Sequence, residues 1–407
     1  MTGGGEEFEV QLGRAFGQAG GGPGPEVTAR LMDGGLAIGR RRRRARRRRA
    51  LAAGALAAVV VIGAGALTVP HGVPGVRSNA IELANSGSPS ASSQKDVTIL
   101  LVGLQSSFDA QGRPVPDDLL YGDLHAQRFG EDIPDTLMLV RIPADGSEVR
   151  QLSIPRDLRA PDGHSWAGQL NSVYAKAESD EIGRLHEHGL AHEDMIQRGR
   201  EAGRVALIKA VEQLAQLPVD HYAEISMTGF YRAAQALGGV PVCLNRAAKD
   251  KWSGIDLPAG RQELGPAQAL AFVRQRHGIG DGSDVGRTRR AQAFLAGVLA
   301  KLRTGGVLTD PAKLAALYGS FADQLVTDAG WSPVDFVRQV PALAAGRGTS
   351  ATLPVRGEGS SVTTDPGLAH QFLLDSEAAA TAKPGLAEAK EADRQALEAA
   401  GGVPCVD

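Results

Sequence analysis

Five arginines fall inside seventeen positions: Arg274 and Arg276, followed by His277, and then Arg287, Arg289 and Arg290. A guanidinium is a rigid fork that matches paired phosphate oxygens, and Arg287 and Arg290, three residues apart, share a face if the segment is helical. One reading is a binding site for a diphosphate. The other is a solvated face whose charges pair with Asp281, Asp284 and nearby acids.

A second pair of charges is brought together by chain geometry. Thr136-Leu-Met-Leu-Val-Arg-Ile142 and Val149-Arg-Gln-Leu-Ser-Ile154 are apolar runs of strand length, joined across Pro143-Ala-Asp-Gly-Ser147 with Asp145-Gly146 as the turn. Antiparallel pairing puts Asp135, just before the first strand, and Pro155-Arg156-Asp157, just after the second, at one end of the sheet. A carboxylate and a guanidinium therefore converge on one open edge. Asp157 reads as an ion-pair partner that orients Arg156 rather than as a base.

Other constellations carry less. His186, His188 and His192 with Glu187, Glu193 and Asp194 resemble a metal cluster on paper, but they lie in a polar segment that reads as an exposed, looped surface. Ser153 follows Leu152, so no Gly-x-Ser-x-Gly nucleophile exists there. Cys243 and Cys405 are the only cysteines. In an oxidising compartment they suggest a disulfide pinning the C-terminal tail to the segment Val240–Leu244; the alternative is two buried free thiols.

The elements that must position these residues alternate between strands and helices. Asp96-Val-Thr-Ile-Leu-Leu-Val-Gly103 reads as a buried central strand. Spacing predicts helices over Arg198–Leu217, Met227–Leu237, Pro266–Val273, Asp284–Leu302, Pro311–Leu325 and Pro333–Leu343, and strands over His221–Ser226 and Val240–Leu244. The fold class is α/β, a central mixed sheet covered by helices on both faces.

The chain has 407 residues, 44 basic and 46 acidic. Eleven of the basic and five of the acidic residues precede Pro70, leaving 33 against 41 beyond it. An acidic domain binds nucleic acid poorly, so no nucleic-acid partner is expected. The Arg40–Arg49 run, interrupted only by Ala45, abuts the uncharged stretch Ala50–Val69, whose length matches a bilayer core. This predicts a single transmembrane helix over 50–69, the N-terminus cytoplasmic and the bulk of the protein outside the cell membrane. Ala64-Gly65-Ala66 leaves a cleaved signal peptide as the alternative. The expected organisation is a cytoplasmic tail over 1–49, the span over 50–69, a flexible linker over 70–95, a domain over 96–345 and a C-terminal extension over 346–407 packed on or tethered to that domain.

Taken in order, Ile99-Leu-Leu-Val-Gly-Leu104, Asp135-Thr-Leu-Met-Leu-Val140, Ser153-Ile-Pro-Arg-Asp157, Leu170-Asn-Ser-Val-Tyr174, Asp220-His-Tyr-Ala-Glu-Ile225, Gly229-Phe230, Gly238-Gly-Val240, Leu257-Pro-Ala-Gly260, Ala269-Leu-Ala-Phe-Val-Arg-Gln-Arg-His277 and Gly286-Arg-Thr-Arg-Arg290 resemble the LytR-CpsA-Psr family. The resemblance implies a membrane-anchored phosphotransferase that moves a glycopolymer from a polyprenyl-diphosphate carrier to peptidoglycan. It implies Arg156 and Asp135 as the catalytic pair. Arg156, Arg274, Arg276 and Arg287 would grip the diphosphate, with Arg290 beside them, and a magnesium ion would be held by Asp135. Arginines and a hard divalent cation suit the charge that gathers as a phosphoryl bond breaks.

Departures from the family pattern qualify the site. Where the family reads Gly-x-Asp-Ser-Arg, this chain reads Gly103-Leu-Gln-Ser-Ser107, so Gln105 replaces an acidic metal ligand and Ser107 an arginine. Gln169 and Ala291 replace a common lysine and glutamine. An amide oxygen at Gln105 still coordinates magnesium, more weakly, and Asp109 is the candidate substitute. The rival expectation is a protein that binds polyprenyl-diphosphate lipid or glycan without transfer.

Overall fold

The computed structural model describes residues 75–85, 96–144, 149–161, 168–186, 188–275, 277–279, 284–305, 307, 311–329, 331, 348–357, 362–374 and 403–407. The Arg40–Arg49 run, the 50–69 stretch, the Asp145-Gly146 turn, Glu187, Arg276, Asp281 and the 333–343 segment lie outside them. Among the described residues no helix is long and apolar enough to cross a membrane.

Seven strands form the central mixed sheet: β1 (Val76–Ser78), β2 (Val97–Gln105), β3 (Ile133–Ile142), β4 (Val149–Ile154), β5 (His221–Ser226), β10 (Leu325–Asp328) and β11 (Gly348–Thr352), in the spatial order β1-β10-β5-β2-β3-β4-β11. β2 is parallel to β5 and antiparallel to β3, and β3 is antiparallel to β4. The carboxyl ends of β2, β4 and β5 therefore share one edge with the start of β3.

Apolar side chains cover both faces of β2 because both faces are packed. Leu100 and Val102 join Tyr174, Leu207 and Tyr222 beneath α2 (Leu170–His186) and α3 (His192–Ala215). Ile99 and Leu101 join Met138, Phe272 and Phe294 on the opposite face. That second layer contains α4 (Met227–Ala236), α5 (Pro266–Arg274), α6 (Asp284–Thr304) and α7 (Pro311–Gly319), together with the strands β6 (Val240–Leu244), β7 (Ala248–Asp250), β8 (Ile255–Leu257), β9 (Gly260–Leu264) and β12 (Cys405–Val406). Helix α6 lies on β6 at a distance that only glycine allows: a Cβ on Gly297 would collide with the Pro241 carbonyl oxygen.

Several sequence expectations are corrected. The stretch read as a linker supplies β1, an edge strand hydrogen-bonded to β10, and α1 (Ala80–Ala84). The stretch expected to pack on the domain or be tethered to it goes further and supplies β11 at the other edge of the sheet, paired with β4, while α8 (Leu368–Leu374) buries Phe372 and Leu373 in the α2–α3 core. The helix expected over Pro311–Leu325 stops at Gly319, and Leu325–Asp328 pairs with β5 because its β-branched residues fit a pleated ladder. His186 and His192 end α2 and begin α3, and among the described residues no three metal-ligating side chains cluster.

Cys243 and Cys405 form the disulfide, at the register pair in which β12 and β6 place two cysteines opposite each other. Among the described residues no cysteine is free.

Candidate functional site

The site is built at the shared strand edge. A register shift between Gly103 and Leu104 breaks the β2–β3 ladder just before Gln105, and such bulges re-aim the side chains beside them. Here the β3–β4 hairpin puts Asp135 and Arg156 in contact: Asp135 Oδ1 accepts from an Arg156 terminal nitrogen. Asp157 Oδ1 stands 3.5 Å from Arg156 Nε on the other side, as expected of an orienting partner. That Nε has no hydrogen-bond partner within the protein.

The second arginine group arrives from the opposite face. Arg287, in the first turn of α6, donates to Asp135 Oδ1 at 3.3 Å and to the Asp135 carbonyl at 3.0 Å, and it is 7% exposed. Arg274, the last residue of α5, donates to the Leu124 carbonyl at 2.7 Å. Burial pulls the Arg274 guanidinium below its usual range, and the Asp135 carboxylate only partly offsets this. Among the described residues, the guanidiniums of Arg156, Arg274 and Arg287 thus gather around the Asp135 carboxylate.

Three of these charged residues, Asp135, Arg274 and Arg287, line an apolar cavity of about 970 Å³ counted out into the open solvent at its mouth. Gln105, Asp135, Arg274 and Arg287 belong to its wall, whereas most of the remaining wall is aliphatic or aromatic, including Leu101, Met138, Ile225, Phe230, Phe294 and Leu295. Gly103 keeps the floor low beside Thr136. Such a cavity fits an amphiphile with an anionic head and a long apolar chain. Of the carboxylates on the wall, Glu224 is taken by Arg204 and the Tyr222 hydroxyl, while Asp135 and the Gln105 amide suit a hard cation that keeps most of its ligands as water or phosphate oxygens.

The structure therefore gathers Asp135, Arg156, Arg274, Arg287 and Gln105, and separates Arg290 from them. Arg290 is 1% exposed and donates to the main-chain oxygens of Phe272, Gln275 and Asp407, so it holds backbone rather than facing the cavity. Arg289 is exposed, and the solvated-face reading applies to it alone in this turn. Arg276 lies outside the described residues.

Neither Asp109, the candidate substitute ligand, nor Ser107, which stands in the family arginine's place, belongs to the cavity wall. The Asp109 carboxylate accepts from the Gln111 and Arg113 amides and from Arg113 Nε, closing its own turn. Ser107 is buried, with its hydroxyl accepting from the Phe129 amide at 2.6 Å. Two contributors were missed in the sequence: the Leu124 carbonyl, which no side-chain pattern reveals, and Asn171, whose amide donates to Asp157 Oδ1 at 3.4 Å. Asn171 stood in a quoted motif, Leu170-Asn-Ser-Val-Tyr174, without an assigned role.

An α/β/α sheet sandwich sets Asp135, Arg274 and Arg287 in the wall of an apolar cavity. A family model, that of the LytR_cpsA_psr family, matches residues 76–365, and the chain belongs to the LytR-CpsA-Psr family. The "Cell wall biosynthesis protein LcpA" of Corynebacterium glutamicum is 40% identical over 285 residues, which is 68% of this chain and 55% of that protein. The "Polyisoprenyl-teichoic acid--peptidoglycan teichoic acid transferase TagU" of Bacillus mycoides is 27% identical over 199 residues, 49% of this chain and 56% of that protein. The chain spans about half the length of these curated relatives. A solved structure, the LytR-Csp2A-Psr enzyme from Actinomyces oris, is similar with a TM-score of 0.49 at 20% identity, covering 74% of this chain and 94% of that one.

Proposed function

We propose that the protein is a membrane-anchored, extracytoplasmic phosphotransferase that moves a glycopolymer from a polyprenyl-diphosphate carrier to peptidoglycan. The observation that carries the reading is the junction of an apolar cavity with Arg274, Arg287 and the Asp135–Arg156 pair. The prenyl chain occupies the cavity and the diphosphate lies against the guanidiniums. An acceptor hydroxyl attacks the phosphorus that bears the glycan, the bond to the polyprenyl phosphate breaks, and polyprenyl phosphate leaves while the hydroxyl proton passes to solvent. Arg156, Arg274 and Arg287 stabilise the charge that grows on the phosphate oxygens, in a site where their positions are already fixed. Magnesium, held by Asp135 and Gln105, would supply further neutralisation of the diphosphate. The names of the two relatives, one a cell-wall biosynthesis protein and the other a teichoic acid transferase, support the substrate class and the acceptor.

The test is transfer by the full-length protein in detergent, with a polyprenyl-diphosphate-linked glycan, peptidoglycan and magnesium. Release of polyprenyl phosphate with glycan appearing in peptidoglycan, both lost in Arg156→Ala, is the expected result. A non-catalytic lipid-binding protein is the second reading, favoured by the amide at Gln105 and by the engagement of Asp135 with two arginines. It predicts binding without release in the natural protein, and release only in Gln105→Asp.

A further inference from the structure

Arg290 has the chemistry of a phosphate ligand but a different task. Its Nε donates to Phe272 O at 3.2 Å, one terminal nitrogen donates to Gln275 O, and the other donates to Asp407 O at 2.9 Å. Phe272 and Gln275 bracket Arg274 at the end of α5, where helix carbonyls have no partner of their own. Arg287, one turn earlier on α6, is the residue that holds Asp135. Arg290 therefore sits between the two helix ends that deliver the site arginines.

Its third partner belongs to a short strap. β12 has two residues, parallel to β6 with Cys405 opposite Cys243 and Val406 opposite Leu244. It is fixed by the disulfide, by the Asn245 amide donating to Val406 O at 2.9 Å and by Arg246 Nε, 3.3 Å from Asp407 Oδ1. From the strap, the linkage runs through Arg290 to the carbonyls flanking Arg274.

We propose that Arg290 is a positioning residue, and that the disulfide-held strand Cys405–Val406 sets the geometry of Arg274 and Arg287 toward the diphosphate by way of the Asp407 main-chain oxygen. The proposal rests on the reading of the cavity as a prenyl-diphosphate site. A lysine keeps the charge at 290 but lacks the guanidinium fork that reaches three main-chain oxygens at once. Loss of the disulfide leaves Arg290 in place but frees the strap that supplies its third acceptor.

The experiment uses full-length protein in detergent, with farnesyl diphosphate and the uncharged farnesol as probes. Arg290→Lys, Cys243→Ser/Cys405→Ser and the combination are compared by Kd and by Tm. Arg290→Lys and the cysteine variant should each weaken farnesyl diphosphate binding about tenfold and farnesol binding less than about twofold, and the combined loss should be smaller than the product of the two, as for groups acting in one chain of contacts. A role in stability alone weakens both probes equally, or neither, and overturns the proposal. So do fully multiplicative losses. Failure of the natural protein itself to prefer farnesyl diphosphate over farnesol refutes the cavity reading instead, which keeps the two failures apart.

Discussion

Replacing Asp135 by asparagine probes the charge balance on which the site depends. Its Oδ1 receives Arg156 and, at 3.3 Å, Arg287. Asparagine keeps the shape and one acceptor while removing the negative charge. Truncating one partner of a fully buried pair costs about 3–5 kcal/mol. Here the Arg156 and Asp135 side chains retain 18% and 19% of their exposure, and the asparagine carbonyl oxygen would still accept, so the expected cost is about 2 kcal/mol, roughly 4–6 °C in Tm. A diphosphate supplies the missing charge. In wild type the ligand must share the guanidiniums with the carboxylate; in Asp135→Asn it does not. With magnesium chelated, farnesyl diphosphate at about a hundredfold its Kd stabilises a protein by roughly 2.7 kcal/mol. At that same concentration the variant should gain more than wild type. Thermal scans of full-length protein with chelator, with and without ligand, read both quantities. A variant that melts with wild type, or that gains less from the ligand, refutes the idea that Asp135 is a counter-ion standing where the diphosphate charge will lie.

Gln105→Asp adds a carboxylate at the position of the amide on the cavity wall, and the magnesium concentration for half-maximal transfer should fall by about tenfold; an unchanged requirement in a metal titration removes Gln105 from the ligand set. Glu178 is held up to about 8 by burial first and by the Asp132 charge second. Its unfolded value is near 4.5, so its contribution to stability is complete below that pH and is lost as pH rises toward 8. Glu178→Gln should therefore raise Tm relative to wild type by roughly 2–4 °C at pH 7.5 and by less at pH 5, and a difference that shrinks as pH rises contradicts the assignment. Gly297→Ala forces a methyl group against the Pro241 carbonyl, pushing α6 off β6 at a cost of about 2–3 kcal/mol in a denaturant melt; a neutral result shows that the helix has room the packing denies it.

The central strands were legible because they are buried on both faces, which writes an unbroken apolar run into β2 and two such runs into the β3–β4 hairpin. The same hairpin placed Asp135 beside Arg156 before any coordinates. The edge strands were not legible: Val76-Arg-Ser78 and Gly348-Thr-Ser-Ala-Thr352 have no periodic signal and become strands only by bonding to β10 and β4. Helix α2 and the start of α3 were hidden for another reason. In α2 the polar Asn171 and Glu178 interrupt the buried positions Leu170, Val173, Tyr174 and Leu185, and the opening turns of α3 before Gly199 bury only Ile196, so no continuous apolar stripe can be read there. Arg290 was misread because spacing reports that two arginines share a helix face, while the neighbouring helix end decides which of them finds carbonyls and which finds the cavity.

The two flanks of the site are braced by the same device. Beneath the sheet, Arg200 pairs with Asp132 at 2.6 Å and donates to Asp109 O and Ser106 Oγ, both at 2.6 Å, fixing the segment that follows Gln105. Next to it Arg204 grips Glu224 of β5 at 2.8 Å, with the Tyr222 hydroxyl donating to the same carboxylate at 2.7 Å. Burial disfavours the charged forms of these arginines, but the Asp132 and Glu224 carboxylates more than reverse it, and both guanidiniums are held above their usual range. Above the sheet, Arg290 clasps the end of α5. Each bracing arginine is 1% exposed and spends its donors inside the protein, whereas Arg274 and Arg287 are the ones that line the cavity. Preorganised charge stabilises a transition state only if the charges need not move to meet it. It follows that Arg200→Met, remote from any ligand, should loosen Gln105 and the floor of the cavity as much as Arg290→Lys loosens its roof. Farnesyl diphosphate affinity reads both changes, and an Arg200→Met protein that binds as wild type does removes the lower brace from the site.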